Sequence, residues 1–324
     1  GLITVLGAIN VGTYYFFIGS VGPLIGLENS YQVQMIFMVL VTGSQALINH
    51  FGIRATAKLT DFSGYLIFFG AIVLAMALLA FAPAIDFSRL VTFTNYSGAA
   101  GGDVWPESSS LFYIFLLGLL LPFYTITGYD ASAHTAEETI SAAHNAPRGM
   151  VRSVVWSGVF GWMFLMAFVL AIPNMDDAAK QGWNVFFWLL DTIMPENIEN
   201  GLYVVILVAQ YLCGLATVTS ASRMVFAFAR DGGLPGSDML KKVHPTLRSP
   251  VAAIWTSAIL AVLFTAETSV YSTIVSVTVI FLYISYGLPI ILGLVAYKKT
   301  WTKMGPWDLG VAFPAVAVIC ILVE

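Results

Sequence analysis

The chain has 324 residues, 58% of them hydrophobic and only 10% charged, with a net charge of −4 and a mean hydropathy of +0.84. Soluble domains carry about 25% charged residues, so the composition excludes a soluble globule and indicates a multi-span membrane protein. No basic stripe points to nucleic acid. Cys213 and Cys320 both fall in apolar runs, which argues against a disulfide framework.

In chain order, residues 1–27 form a first apolar span and 31–49 a second, followed by the short basic loop HFGIRATAKLTD. A third span, 62–82, is closed by Pro83. Residues 84–110 are polar and Gly-rich and read as an outer loop; Asn95, Tyr96 and Ser97 in it make a glycosylation sequon that matters in a eukaryotic host. The fourth span, 111–143, is broken near 126–130. Pro147 and Gly149 punctuate a loop before the fifth span, 151–172. The connection 173–200 is polar apart from the amphipathic piece WNVFFWLLDTIM, expected to lie in the membrane interface. The sixth span is 201–229, followed by the basic loop RDGGLPGSDMLKKVHPTLRSP. Spans at 251–266 and 270–296 precede the basic loop KKTWTKMGPW, and 309–324 begins a ninth. The chain opens at Gly1 and closes at Glu324 inside or beside apolar runs, which reads as truncation at both ends of a single transmembrane domain.

Charge fixes the orientation. If the spans alternate, one side holds Arg54, Lys58, Arg148, Arg152, Arg223, Arg230, Lys241, Lys242, Arg248, Lys298, Lys299 and Lys303, and the other only Arg89 and Lys180. Twelve of the fourteen basic residues on one side make that side cytoplasmic. One missed helix would scramble this pattern, and the fourth span therefore runs from outside to inside.

The fourth span opens as LFYIFLLGLLLPFY and then turns polar, with Gly128, Asp130 and His134 where a lipid-facing helix would carry Leu. Polar backbone at membrane depth is tolerated only inside protein or beside a water-filled cavity. Half-helices meeting at such a break are where many transporters bind substrate. Unwinding across Tyr124, Thr125, Ile126, Thr127 and Gly128 would free carbonyls at a negative helix end, suited to a cationic amine. Asp130 is a charged group at depth and also a good cap for the inner half-helix. Tyr124, one turn earlier, is either placed to close over a bound substrate or an ordinary interface or core tyrosine. His134 shares a face with Asp130 and is a candidate for proton movement or a satisfied structural histidine. Glu137 and Glu138 are expected to pair with Arg148 or Arg152.

Elsewhere, Thr217, Thr219 and Ser220 form a polar cluster in the sixth span that would line an ion or substrate site or mediate tight helix packing. Ser276, Thr278, Tyr283 and Ser285 in the eighth span are candidates for a cavity wall. Asn10 is a further polar residue at depth, or one half of a helix–helix hydrogen bond. No metal site and no convergent catalytic set is legible, and a channel would need a continuous polar face where this chain has only mid-span patches.

The stretch TGYDASAHTAEETISAAHNAPRGMVRS resembles the sixth-helix signature of the amino acid–polyamine–organocation (APC) transporters, in the variant of the amino acid/choline and GABA permease branch. SRMVFAFARDGGLPGS with the later LRSP is similar to the end of the eighth helix and its following loop. The resemblance runs the length of the chain, which would then cover family helices three to eleven. It implies a five-plus-five inverted repeat whose first and sixth helices unwind at mid-membrane. It also implies alternating-access transport of an amino acid or amine such as GABA, without a cofactor, in the plasma membrane. The amine site falls on the backbone at Tyr124, Thr125, Ile126 and Thr127, with Tyr124 as gate and Asp130 at the acidic position. The family's first helix, with its carboxylate-binding turn, has no counterpart here. The lysine that proton-coupled members carry in the fifth helix is also missing: its place falls near Ile67. Sodium coupling through Thr219 and Ser220, proton coupling through Asp130, and exchange without an ion all remain compatible. So does a non-transporting sensor or structural subunit of the same fold.

Overall fold

The computed structural model describes residues 1–98, 107–266 and 271–323. Its described residues are helical, with no strand among them. In order the helices are α1 (Leu2–Ser20), α2 (Gly22–Ile25), α3 (Tyr31–His50), α4 (Ile53–Phe81), α5 (Leu111–Gly118), α6 (Leu120–Thr125), α7 (Ala131–His134), α8 (Ala142–Ala171), α9 (Met175–Ala178), α10 (Val185–Ile193), α11 (Glu196–Arg230), α12 (Ser237–Leu240), α13 (Val251–Ala266), α14 (Tyr271–Ala296) and α15 (Phe313–Val323). Among the described residues, six helices (in α1, α3, α4, α8, α11 and α14) are long and apolar enough to cross a membrane; the other expected spans fall on shorter apolar helices at Leu111–Thr125, Val251–Ala266 and Gly310–Leu322.

Helix limits follow local chemistry. Ser30 caps α3 by accepting the Val33 N–H, and Ser110 caps α5 by accepting that of Tyr113. α11 carries Glu196 and Glu199 in its first turn and Arg230 in its last, charges that oppose the helix dipole. Its 35 residues span about 50 Å, well beyond the roughly 30 Å hydrocarbon core.

Four expectations need correction. The basic loop after α3 is almost wholly helix: Gly52, at φ 117°, turns the chain, and nothing from Ile53 onward breaks α4. The loop expected around Pro147 is likewise helical, because α8 starts at Ala142. Pro147 lies early enough that its missing N–H orphans only the Ala143 carbonyl, at an exposed end where water replaces it. WNVFFWLLDTIM does not simply lie on the interface. α10 buries Leu189 and Leu190 completely against Phe16, Leu78 and Tyr203, and its Phe187 ring fills the space beside Gly19. Last, the inner half of the broken span is not continuous to Ala143. It is one α-turn, a 3₁₀ turn (Ala136–Glu138) and a left-handed Ser141 at φ 52° before α8 begins.

α1 and α11 form the centre of the bundle, flanked by α3, α4 and α13. The apolar cluster of Leu6, Ala46, Val218, Ile254, Ala258 and Ala261 joins α1, α3, α11 and α13. A polar seam runs beside it. Asn10 Nδ2 donates to Thr42 Oγ1 (2.9 Å) and Gln45 Oε1 (2.8 Å), and Gln45 Nε2 donates to the Tyr211 carbonyl (3.0 Å). Asn49 accepts from Thr219 Oγ1 at 2.8 Å and donates to the Leu215 carbonyl at 3.1 Å. Such bonds are the alternative to unsatisfied polar groups in hydrocarbon.

Candidate functional site

The span from Leu111 breaks twice. Pro122 has no N–H to give the Gly118 carbonyl, and the helix is interrupted at Leu119, between α5 and α6. The second break is the expected one. α6 ends at Thr125, and Gly128 takes φ 78°, a left-handed conformation costly for any residue with a Cβ. The Gly128 N–H leaves the helical ladder and donates to the Tyr286 hydroxyl of α14 at 3.0 Å. That hydroxyl in turn donates to Asp130 Oδ1 at 3.2 Å, while His134 Nε2 lies 2.9 Å from Asp130 Oδ2. Asp130 is thus not the side-chain cap the sequence suggested: its oxygens face α14 and His134, and no backbone N–H of α7 reaches them.

The carbonyls before the break are less open than expected. Those of Pro122 and Tyr124 accept the N–H groups of Ile126 and Thr127, Tyr124's also takes the Thr127 hydroxyl, and Phe123's accepts the Tyr283 hydroxyl at 3.1 Å. Thr125 closes α6, and the unwound residues Ile126 and Thr127 follow directly. Phe123, Tyr283, Tyr286 and Tyr129 make a chain of ring contacts at 5.6, 5.7 and 4.7 Å along one side of the break. The side chains of His134 and Asp130 are 7% and 18% exposed, an imidazole–carboxylate pair held mostly inside protein.

Sequence reasoning found Tyr283 but passed over Tyr286. The signal was present: two tyrosines three residues apart in an apolar helix share a face. The partners of Glu137 and Glu138 were also misassigned. Glu137 pairs with Arg230, and Glu138 with Arg223 at 3.2 Å, both on α11 rather than at Arg148 or Arg152. Those two arginines lie on α8 instead. Next to these pairs, a cavity of about 200 Å³ opens between His134, Glu138, Arg223 and Arg248.

The remaining candidates fall elsewhere. Asn10 and Thr219 belong to the polar seam, joined through α3, and Thr219 also donates to the Leu215 carbonyl. Thr217 bonds back to the Cys213 carbonyl, and Ser220 is buried on α11. Thr278 is fully buried and its hydroxyl has no partner among the described residues.

A helix broken at mid-span around a paired carboxylate, inside an all-helical apolar bundle, is the arrangement that comparison with known proteins resolves. Residues 2–323 match the family model described as amino acid permease. The chain belongs to the amino acid permease family. This permease is 34% identical over 263 residues to amino-acid permease BAT1 of Arabidopsis thaliana, covering 76% of the chain and 50% of that protein. It is 31% identical over 303 residues to a BAT1 homolog of Oryza sativa subsp. japonica, covering 90% and 57%. A putative polyamine transporter of Candida albicans is 29% identical over 229 residues, covering 67% and 40%. The chain thus spans about half the length of these curated relatives. The permease is a multi-pass integral membrane protein, and its family is one of transporters rather than enzymes.

Proposed function

We propose that the protein is a secondary active transporter that moves amino acids or related amines, GABA among them, across the plasma membrane by alternating access. The observation that carries this reading is the break itself: Gly128 unwound, its N–H on Tyr286, and Asp130 held between Tyr286 and His134. In the proposed site the substrate amine meets the carbonyls of Thr125, Ile126 and Thr127 at the negative end of the α5–α6 arm. Asp130 supplies further negative charge, and Tyr124 closes over the bound molecule. The names of the relatives, amino-acid permeases and a putative polyamine transporter, support an amine-bearing substrate.

Proton coupling through the Asp130–His134 pair is the coupling we favour. The 2.9 Å contact between the Asp130 carboxylate and the His134 imidazole supplies a path along which a proton can pass. Thr219, named with Ser220 as the alternative for sodium, gives its hydroxyl proton to Asn49 and the Leu215 carbonyl and so takes part in the packing of α11 against α3. Uptake by cells expressing the whole protein tests the site. Asp130→Asn is expected to abolish pH-dependent uptake and Tyr124→Ala to raise the substrate KM, at wild-type surface levels by biotinylation. Unchanged uptake in both variants would remove the site assignment.

A further inference from the structure

α8 meets the two arms of the broken span at glycines, and the two contacts differ in what can yield. A Cβ on Gly161 would stand 2.7 Å from Cγ2 of Thr125, the last residue of α6. A Cβ on Gly149 would stand 2.7 Å from Oγ of Ser132 in α7 and 3.3 Å from its Cβ. A Cβ on Gly158, between them on the same helix, would meet nothing within 4 Å. Carbon pairs are at their optimum near 3.5–4.0 Å, so both close contacts demand movement.

Ser132 can supply that movement cheaply. A change of rotamer swings its Oγ away from α8 and leaves only the 3.3 Å contact with its Cβ, which a shift of a few tenths of an ångström relieves. Thr125 yields less readily. It is β-branched, with only two χ1 rotamers common in a helix, and its Oγ1 donates to the Leu121 carbonyl at 2.9 Å. Turning its methyl out of the way would break that bond. An added Cβ at Gly161 must therefore either break that bond or displace the Thr125 backbone, and either way it disturbs the end of α6.

We propose that Gly161 is a positioning residue: by leaving room for the Thr125 methyl, it lets α8 hold the end of α6 at the depth and rotation that substrate binding requires. This rests on reading the break as the amine site. The contact is made by α8, not by any residue of the break, and it sets where the Thr125 carbonyl stands. A displacement of a few tenths of an ångström there acts on binding geometry directly.

The test is a set of four variants assayed for uptake, with KM and Vmax separated and surface amount measured. Gly161→Ala is expected to raise KM about tenfold, the scale of overpacking a tight contact, with Vmax per surface molecule within about twofold. Gly158→Ala is expected to match the unaltered protein, and Gly149→Ala to fall close to it. Thr125→Ser removes Cγ2 while keeping the bond to Leu121, so Gly161→Ala in that background should add nothing to the KM of Thr125→Ser alone. A Gly161→Ala KM equal to wild type overturns the proposal, and so does a rise that persists in the Thr125→Ser background. If Gly161→Ala fails to reach the surface and the double variant reaches it with the KM of Thr125→Ser, only packing was at stake and the proposal falls; if neither reaches it, the effect does not pass through Thr125 and the proposal falls as well. Absence of saturable amino acid or amine uptake by the unaltered protein would instead refute the reading of the site.

Discussion

Tyr286→Phe isolates the hydroxyl that ties the break to α14. The ring is retained, so its contacts with Tyr129 at 4.7 Å and Tyr283 at 5.7 Å survive, and the residue stays buried at 7% exposure. Two bonds are lost: the one accepted from the Gly128 N–H at 3.0 Å and the one given to Asp130 Oδ1 at 3.2 Å. A buried N–H left without an acceptor costs about 1–3 kcal/mol, and a hydrogen bond to a charged group is worth about 1.5–3 kcal/mol. His134 still holds the other carboxylate oxygen, and water can reach the half-buried Gly128. These two compensations bring the loss below the sum of the two ranges, to about 1–3 kcal/mol in total. It falls on the geometry that binds substrate, so apparent affinity should drop by roughly 5- to 150-fold. Tyr283→Phe is the comparison: it removes a donor to one carbonyl, that of Phe123, and should cost about 0.5–1.5 kcal/mol. Uptake kinetics at matched surface expression read both. A Tyr286→Phe protein with unchanged KM and Vmax, or one less impaired than Tyr283→Phe, would refute the view that Tyr286 holds the break.

Gly214→Ala should lower thermal stability without touching the site, because its Cβ would stand 2.6 Å from Asn10 Oδ1 and closer still to the Gln45 amide; about 1–3 kcal/mol is expected, read as a lower melting temperature in detergent. Glu138→Ala should destabilise more than Glu137→Ala: Arg223 is 6% exposed and loses its carboxylate, whereas Arg230 is 48% exposed, in a pair worth about 0–1 kcal/mol. Equal melting temperatures for these two variants would contradict the burial argument. A cysteine at Ser97 should react with an impermeant thiol reagent from outside intact cells, and one at Lys242 only after permeabilisation; the reverse pattern would overturn the orientation drawn from the basic residues.

Much of the fold was legible because lipid imposes a simple code. Runs of apolar residues place helices, so α1, α3, α13 and α14 fall where hydropathy puts them. The helix starts were harder. α4 and α8 begin within segments whose charge or proline suggested loops, because hydropathy reports the membrane boundary and not where the hydrogen-bond ladder begins. In the site, the break at Gly128 and the Asp130–His134 pair are local in sequence and could be read from spacing. Tyr286, Arg223 and Arg230 reach the same region from α14 and α11, and one sequence carries no direct record of which distant helix a carboxylate will face. The same limit explains Thr219, whose hydroxyl turned out to belong to Asn49.

The central claim is that the break around Asp130 binds an amine-bearing substrate. Its most direct test is ligand-induced thermal stabilisation of the purified whole protein. The panel is GABA, neutral, basic and acidic amino acids, putrescine and choline, each with and without sodium and at two pH values, on the wild type and on Asp130→Asn. A ligand that binds only the folded state at about 100 times its Kd adds about 2.7 kcal/mol. The account predicts a clear rise in melting temperature with at least one amino acid or amine, dependent on pH rather than sodium, and lost in Asp130→Asn. A well-folded protein that no member of the panel stabilises, or a stabilisation that Asp130→Asn retains in full, would contradict it.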